Sequence, residues 1–218
     1  MRRVTASVRG GRGVAVVRRA RGLTLVELVI ALSITSLIAT AATTMLFATS
    51  RATEARQDLR HVMTRSAVVQ ARLADEIHRA AAFLAAGTDQ LILWSSDANG
   101  NGSVNLAEIV LIERDSGTNE LRRYAIVWPA GWSQATIDAA NTTYAANTDF
   151  AAVVVSAKAT GNFPATVWSS ETTAMTAVLN NATAQDATLA TLRLTLTSGD
   201  VAESMVAAAS LRVHRKPS

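Results

Sequence analysis

From Leu28 to Phe47 the chain has no charged side chain, and only Ser33, Thr35, Ser36, Thr40, Thr43 and Thr44 interrupt an otherwise apolar run. About twenty residues at about 1.5 Å each reach roughly 30 Å, the hydrocarbon thickness of a bilayer, so the run predicts a membrane-spanning helix. The hydroxyls are compatible with lipid because each can bond a carbonyl one turn earlier. The charges on either side set the direction. Seven of the 21 basic residues (Arg2, Arg3, Arg9, Arg12, Arg18, Arg19, Arg21) precede Leu23, and none of the 17 acidic residues does. The basic end is expected to stay in the cytoplasm, which places everything after Phe47 on the far side.

Glu27 does not suit an ordinary anchor. A carboxylate at the edge of the hydrocarbon costs about 2 to 3 kcal/mol or more unless it is paired, and no basic side chain follows it before Arg51. The nearest cation would be an α-amino group created by cleavage after Gly22, four residues from Glu27 and within facing distance on a helix.

The segment Arg21, Gly22, Leu23, Thr24, Leu25, Val26, Glu27, Leu28 resembles the class III signal of type IV pilins and type II secretion pseudopilins. The resemblance implies that a prepilin peptidase cuts after Gly22, that Leu23 becomes a methylated N-terminus, and that Glu27 pairs with a terminal amine during assembly. Leu23 stands where the family most often has phenylalanine. Two other readings compete: an uncleaved anchor, and a plain secretory signal cut near Ala39, Thr40 and Ala41. In both, Glu27 has no purpose. A twin-arginine signal at Arg18 and Arg19 lacks the pattern expected after them.

Cleavage after Gly22 also changes the charge. The formal charge of +4 suggests nucleic acid or an anionic surface as partner. Taking the leader's seven arginines from 21 leaves 14 basic against 17 acidic residues, a net of −3. No basic stripe interleaved with aromatics remains, so no direct nucleic-acid partner is expected. Without cysteine, disulfides and thiolate metal sites are excluded.

Beyond Ser50 no Gly or Pro occurs before Gly87, which predicts one helix from about Leu23 to Ala86. Leu59, Val62, Met63, Val69, Leu73, Ile77, Ala80, Ala81 and Leu84 recur at helical spacing, while Arg56, Arg60, Arg65, Arg72, Asp75, Glu76 and Arg79 lie mostly elsewhere. Such a stripe must pack on something. A coiled-coil stalk is disfavoured because the heptad is not strict. Asp75, Glu76 and His78 read as a solvated face.

After Gly87, strands are expected at Leu91–Ser95, Glu108–Arg114, Leu121–Trp128, Ala151–Ala157, Leu189–Thr197 and Met205–His214. Leu192, Leu194 and Leu196 alternate with Arg193, Thr195 and Thr197 before a Ser198, Gly199, Asp200 turn, as in an antiparallel hairpin with one buried face. Asp115 to Asn119 is a second hairpin turn. The stretches Ser133–Asn147 and Ser169–Gln185 read as short helices or loops. The resulting division is a leader (1–22), a transmembrane and filament-core helix (23–50), an amphipathic helix (51–86) and an extracytoplasmic β-rich domain (87–218). The class is α+β, a long N-terminal helix packed on a C-terminal antiparallel sheet.

Within that domain, residues 97–108 match the spacing of a twelve-residue EF-hand loop. Oxygen ligands fall at Asp97, Asn99, Asn101 and Asn105, a backbone carbonyl at Ser103, a glycine at the sharp turn (Gly102) and a closing carboxylate at Glu108. The flanks read as strands rather than EF-hand helices. The loop is therefore either a weak calcium site or an Asx- and Gly-rich turn. There is no GxSxG, HExxH or phosphate-loop pattern, and no enzymatic activity is expected.

The pilin resemblance thus implies a structural subunit of the inner membrane with its C-terminal domain outside the cytoplasm. Its partners would be the prepilin peptidase, inner-membrane lipid and other pilins or pseudopilins. The layout resembles the J-type minor pseudopilins and W-type minor pilins, at the tip of a secretion pseudopilus or a pilus. The competing expectation is a membrane-anchored, calcium-dependent binding module that enters no filament.

Overall fold

The computed structural model describes residues 24–217. Helix α1 (Leu25–Arg79) is followed by strands β1 (Ala82–Gly87), β2 (Gln90–Trp94), β3 (Val104–Asn105), β4 (Ile109–Asp115) and β5 (Glu120–Ala125). Helix α2 (Gln134–Ala140), β6 (Thr143–Tyr144) and helix α3 (Phe150–Ala159) come next, then β7 (Ala165–Ser169), β8 (Thr172–Leu179), β9 (Leu189–Ser198) and β10 (Val201–Ser210). The chain divides into two compact units, one ending at Ser50 and the other Arg51–Ser218.

In the first unit every side chain from Leu25 to Ser50 is exposed. Its hydroxyls turn inward to the helix backbone. Ser33, Thr35, Thr40, Thr43 and Thr49 each donate to the carbonyl four residues back, and Ser36 and Thr44 to the one three back, at 2.7 to 2.9 Å. This helix segment presents almost pure hydrocarbon outward, the surface that lipid or an apolar neighbour requires.

In the second unit, the strands form antiparallel sheets: five strands in the order β1-β2-β4-β5-β7, three in the order β10-β9-β8, and the short pair β3-β6. The α+β arrangement is the one expected. On α1, Val62, Val69, Leu73 and Ile77 are buried. They share one core with Leu91, Leu93, Val110, Ile112 and Leu121 of the larger sheet and Met175, Leu192, Leu194 and Leu196 of the smaller. The opposite face of the larger sheet buries Ile92, Trp94, Ile109 and Leu111 with Phe150, Val154 and Ala157 of α3. Covered on both faces, β2 and the first half of β4 are continuous apolar runs whose alternate residues enter different cores.

The β9–β10 hairpin has the expected face, with Leu192, Leu194 and Leu196 fully buried. Its two-residue turn pairs Ser198 directly with Val201, so β10 spans Val201–Ser210, earlier than the expected Met205–His214. Gly199 has φ of +54°, and a Cβ there would lie 2.6 Å from Asp58 Oδ2. Any other residue there would be strained by the positive φ and would have to push the Asp58 carboxyl aside. At the second expected turn, β4 and β5 pair as a hairpin. Backbone N–H groups of Gly117 and Thr118 there hold the Asp115 carboxyl below the usual carboxylate range.

Four further expectations are corrected. The helix stops at Arg79, and Ala82–Gly87 is strand β1. Ala80 to Leu84 are all buried; β1 is the edge strand of its sheet, but both its faces are covered, Phe83 entering the core shared with α1 and Ala82 and Leu84 the core shared with α3, where a half-exposed helix would leave part of the run wet. Leu59 and Met63 fall off the buried face, being 37% and 53% exposed. Ala151–Ala157 lies in helix α3, where Asp149 accepts hydrogen bonds from the N–H groups of Ala151 and Ala152 as an N-cap. Within Ser169–Gln185, Thr172–Leu179 is strand β8, with Thr172, Met175 and Ala177 buried against β9. Ser133–Asn147 does hold a short helix, α2, capped by Ser133.

Candidate functional site

Two places carry chemistry that packing alone does not require. The first is the start of α1. Gly22 and Leu23 lie outside the described residues, and Glu27 is in the first helical turn. Its carboxylate accepts from the Thr24 N–H at 3.4 Å and from the Thr24 hydroxyl at 3.4 Å, and its own N–H donates to Thr24 Oγ1 at 3.3 Å. This is a capping box, Thr-x-x-Glu, of loose geometry. A negative charge in the first turn also faces the positive end of the helix dipole. This neutral partner is signalled in the sequence by Thr24, three residues before Glu27, and is not among the partners expected above. The bonds are long and the group remains exposed, so Thr24 leaves the carboxylate free to meet an ammonium as well.

The residues C-terminal to Glu27 form the one described helix long and apolar enough to cross a membrane. Leu25, Leu32, Leu37, Met45, Leu46 and Phe47 are each more than 60% exposed. At about 25 cal/mol per Å², leaving this surface in water is strongly unfavourable.

Residues 17–43 match the model of the prokaryotic N-terminal methylation motif. The chain carries the methylation motif of type IV pilins and pseudopilins. This pilin-type motif contains Gly22, Leu23 and Glu27 together with most of the apolar run. It implies processing by a prepilin peptidase, anchoring in the inner membrane before assembly, and assembly with pilins in general. Neither a curated protein nor a solved structure matches the chain.

The second place is the loop 97–108, between β2 and β4. The flanks are strands, as expected, and the side chains of Asp97, Asn99 and Asn101 fold the first half of the loop back on its own backbone. Asp97 Oδ2 accepts from the Gly102 N–H at 3.1 Å, Asn99 from the Asn101 N–H at 3.1 Å, and Asn101 from the Ser103 N–H at 2.8 Å. Asn105 sits in β3, where its side-chain oxygen accepts from the Thr143 hydroxyl of β6 at 2.7 Å. Glu108 closes the loop from within. Its Oε1 accepts from the Ala98 N–H at 2.8 Å, and its Oε2 from Asn105 N–H at 3.1 Å and Trp94 Nε1–H at 2.9 Å. One buried carboxylate thereby joins both ends of the loop to the buried indole of β2.

Among the described residues no group of three or more His, Cys, Asp or Glu is placed to hold a metal. Beside the loop, His78, Arg79, Asp97, Arg212 and Arg215 line an open cleft of about 460 Å³. No local pattern signals that the C-terminal residues return to this loop. Arg215 does so because its N–H donates to the Ala81 carbonyl at 2.9 Å, while Lys216 pairs with Asp186 at 2.7 Å.

Proposed function

We propose that the protein is a minor pilin or minor pseudopilin, a structural subunit that joins the tip of a type IV pilus or a type II secretion pseudopilus. In this reading the peptidase cuts after Gly22, Leu23 is methylated, and the run from Leu25 to Phe47 holds the subunit in the inner membrane until assembly. The unit Arg51–Ser218 then projects outside the cytoplasm. The observation that carries the proposal is the coincidence of the methylation motif with a helix segment whose every side chain is exposed. Such a surface is stable only in lipid or against other subunits.

In this mechanism Glu27 is the assembly residue. In lipid its charge is costly, and the Leu23 ammonium of an incoming or neighbouring subunit offsets that cost, so docking in register is favoured over lateral drift. The unit Arg51–Ser218 supplies the surface that distinguishes one subunit from another.

Mass spectrometry of the mature N-terminus tests the processing: N-methyl-leucine at Leu23 is expected. An intact leader or a terminus near residue 42 would overturn the reading. Glu27→Ala tests the assembly. Membrane insertion should be retained and incorporation into filaments should fall at least about tenfold, the equivalent of 1.4 kcal/mol. Undiminished incorporation would remove the assembly role, and absence of the wild-type chain from filaments would favour the membrane-tethered binding module.

A further inference from the structure

Asp97 keeps only 5% of its side-chain exposure. Its Oδ2 accepts from Gly102 and faces Arg215 Nη1 at 3.4 Å, the longest ion pair among the described residues, while Oδ1 is buried and accepts no hydrogen bond. A buried carboxylate oxygen without a donor is unfavourable, and a cation that reaches it relieves both the missing contact and the buried negative charge. Asn105, 2% exposed, has a second unpaired buried atom, Nδ2. Its oxygen is held by the Thr143 hydroxyl and by the cap of the short turn that ends at Glu108, so Asn105 braces the loop and is not among the ligands. The side-chain oxygens of Asn99 and Asn101 each accept a backbone N–H, which leaves a lone pair on each, and Glu108 Oε1 is in the same position.

We infer that the 97–108 loop binds a calcium ion, with Asp97 Oδ1 as its anchoring ligand and the Arg215 guanidinium as the cation it displaces. The donors are hard oxygens on a flexible loop, which suits calcium; zinc would need nitrogen or sulfur ligands, and magnesium a tighter octahedron. Glu108 departs from an EF-hand in one respect. Two donors already fill Oε2, so it can offer the ion only Oε1. With two carboxylates and one of them monodentate, the affinity belongs at the weak end of calcium sites, about 10⁻⁴ to 10⁻³ M, which suits an extracytoplasmic domain. Arg215 occupies the same carboxylate in the absence of the ion, and the main-chain bond to Ala81 and the Lys216–Asp186 pair hold the tail in place when its side chain is released.

The experiment uses the full chain in detergent micelles. Calcium chloride at about 10 mM should raise the melting temperature by about 3 °C, more than magnesium does. Terbium emission excited through Trp94, whose indole bonds Glu108, should appear and be competed away by calcium. Asp97→Asn should abolish both responses, and the exposed Asn101→Ala should weaken them severalfold should the first variant fail to fold. Arg215→Ala should lower the calcium midpoint severalfold. No melting shift and no terbium emission would overturn the site, as would responses that survive both loop substitutions. An unchanged midpoint in Arg215→Ala would overturn the displacement.

Discussion

One helix, α1, is built to two opposite specifications. Between Leu25 and Ser50 it is apolar on all sides, every side chain is exposed, and its hydroxyls are bonded to its own backbone. Between Arg51 and Arg79 it carries ten charged side chains among 29 residues and buries a narrow stripe, Val62, Val69, Leu73 and Ile77, against two sheets. The same backbone geometry serves both because an α-helix satisfies its own peptide groups. What differs is which solvent the side chains address. The first segment can be stable only where something apolar surrounds it, while the second brings its own apolar surroundings as strands of the same chain.

The sharpest way to break this comparison is to make the same substitution in both segments. Leu73→Ala removes a fully buried side chain from the shared core and should destabilise the unit Arg51–Ser218 by about 3 kcal/mol. Leu37→Ala, at a residue 74% exposed, should leave that unit's unfolding midpoint unchanged and act only on association in membrane or filament. Denaturant titration of the full chain in micelles, followed by the fluorescence of buried Trp94, measures both. Equal losses would mean that the two segments are not energetically separate.

The sequence resolves the two segments unequally. The apolar run and Glu27 are legible because lipid imposes a length and a charge rule that no tertiary contact can relax. The stripe on the second segment is legible at Val62, Val69, Leu73 and Ile77, but periodicity alone also included Leu59 and Met63. Which of two adjacent apolar positions is buried depends on where the sheets lie. The end of the helix was hidden for a related reason: Ala80 to Ala86 has strong helix propensity and no breaker, and only pairing of Ala82–Gly87 with β2 makes it a strand. Strand β8 escaped because its outward residues are small and its alternation is quiet. At the candidate loop, the ligand spacing was visible, whereas the bond from Glu108 to Trp94 and the return of Arg215 are long-range and had no local signal.

A smaller effect sharpens how the second segment is held. Glu76 of α1 accepts from Arg123 Nη2 of β5 at 2.8 Å, with both side chains largely covered. Glu76→Ala should cost about 1 kcal/mol, since the pair is partly screened and the arginine can turn toward solvent when its partner is lost. Stability in low and high salt checks this. The wild-type advantage should shrink as ionic strength rises, whereas the Leu73→Ala deficit should not.

The smallest predicted effects concern threonine, which the two regions treat differently. Thr172 of β8 is fully buried and its hydroxyl has no partner, although its N–H donates to the Asn119 carbonyl at 2.7 Å. Thr172→Val keeps the shape and removes an unsatisfied polar atom, so it should raise stability by about 1 kcal/mol. Thr35 bonds its hydroxyl to the Ala31 carbonyl at 2.7 Å. Thr35→Val loses that bond but not the carbonyl's main-chain partner, and the outward surface stays apolar, so insertion and unfolding should each change by less than about 0.5 kcal/mol. Paired measurements of the two variants decide the point. A stabilisation at Thr172 with silence at Thr35 means that hydroxyls matter here by what they fail to bond in the packed unit, and a clear loss at Thr35 would show instead that its hydroxyl reaches a neighbouring helix in the membrane.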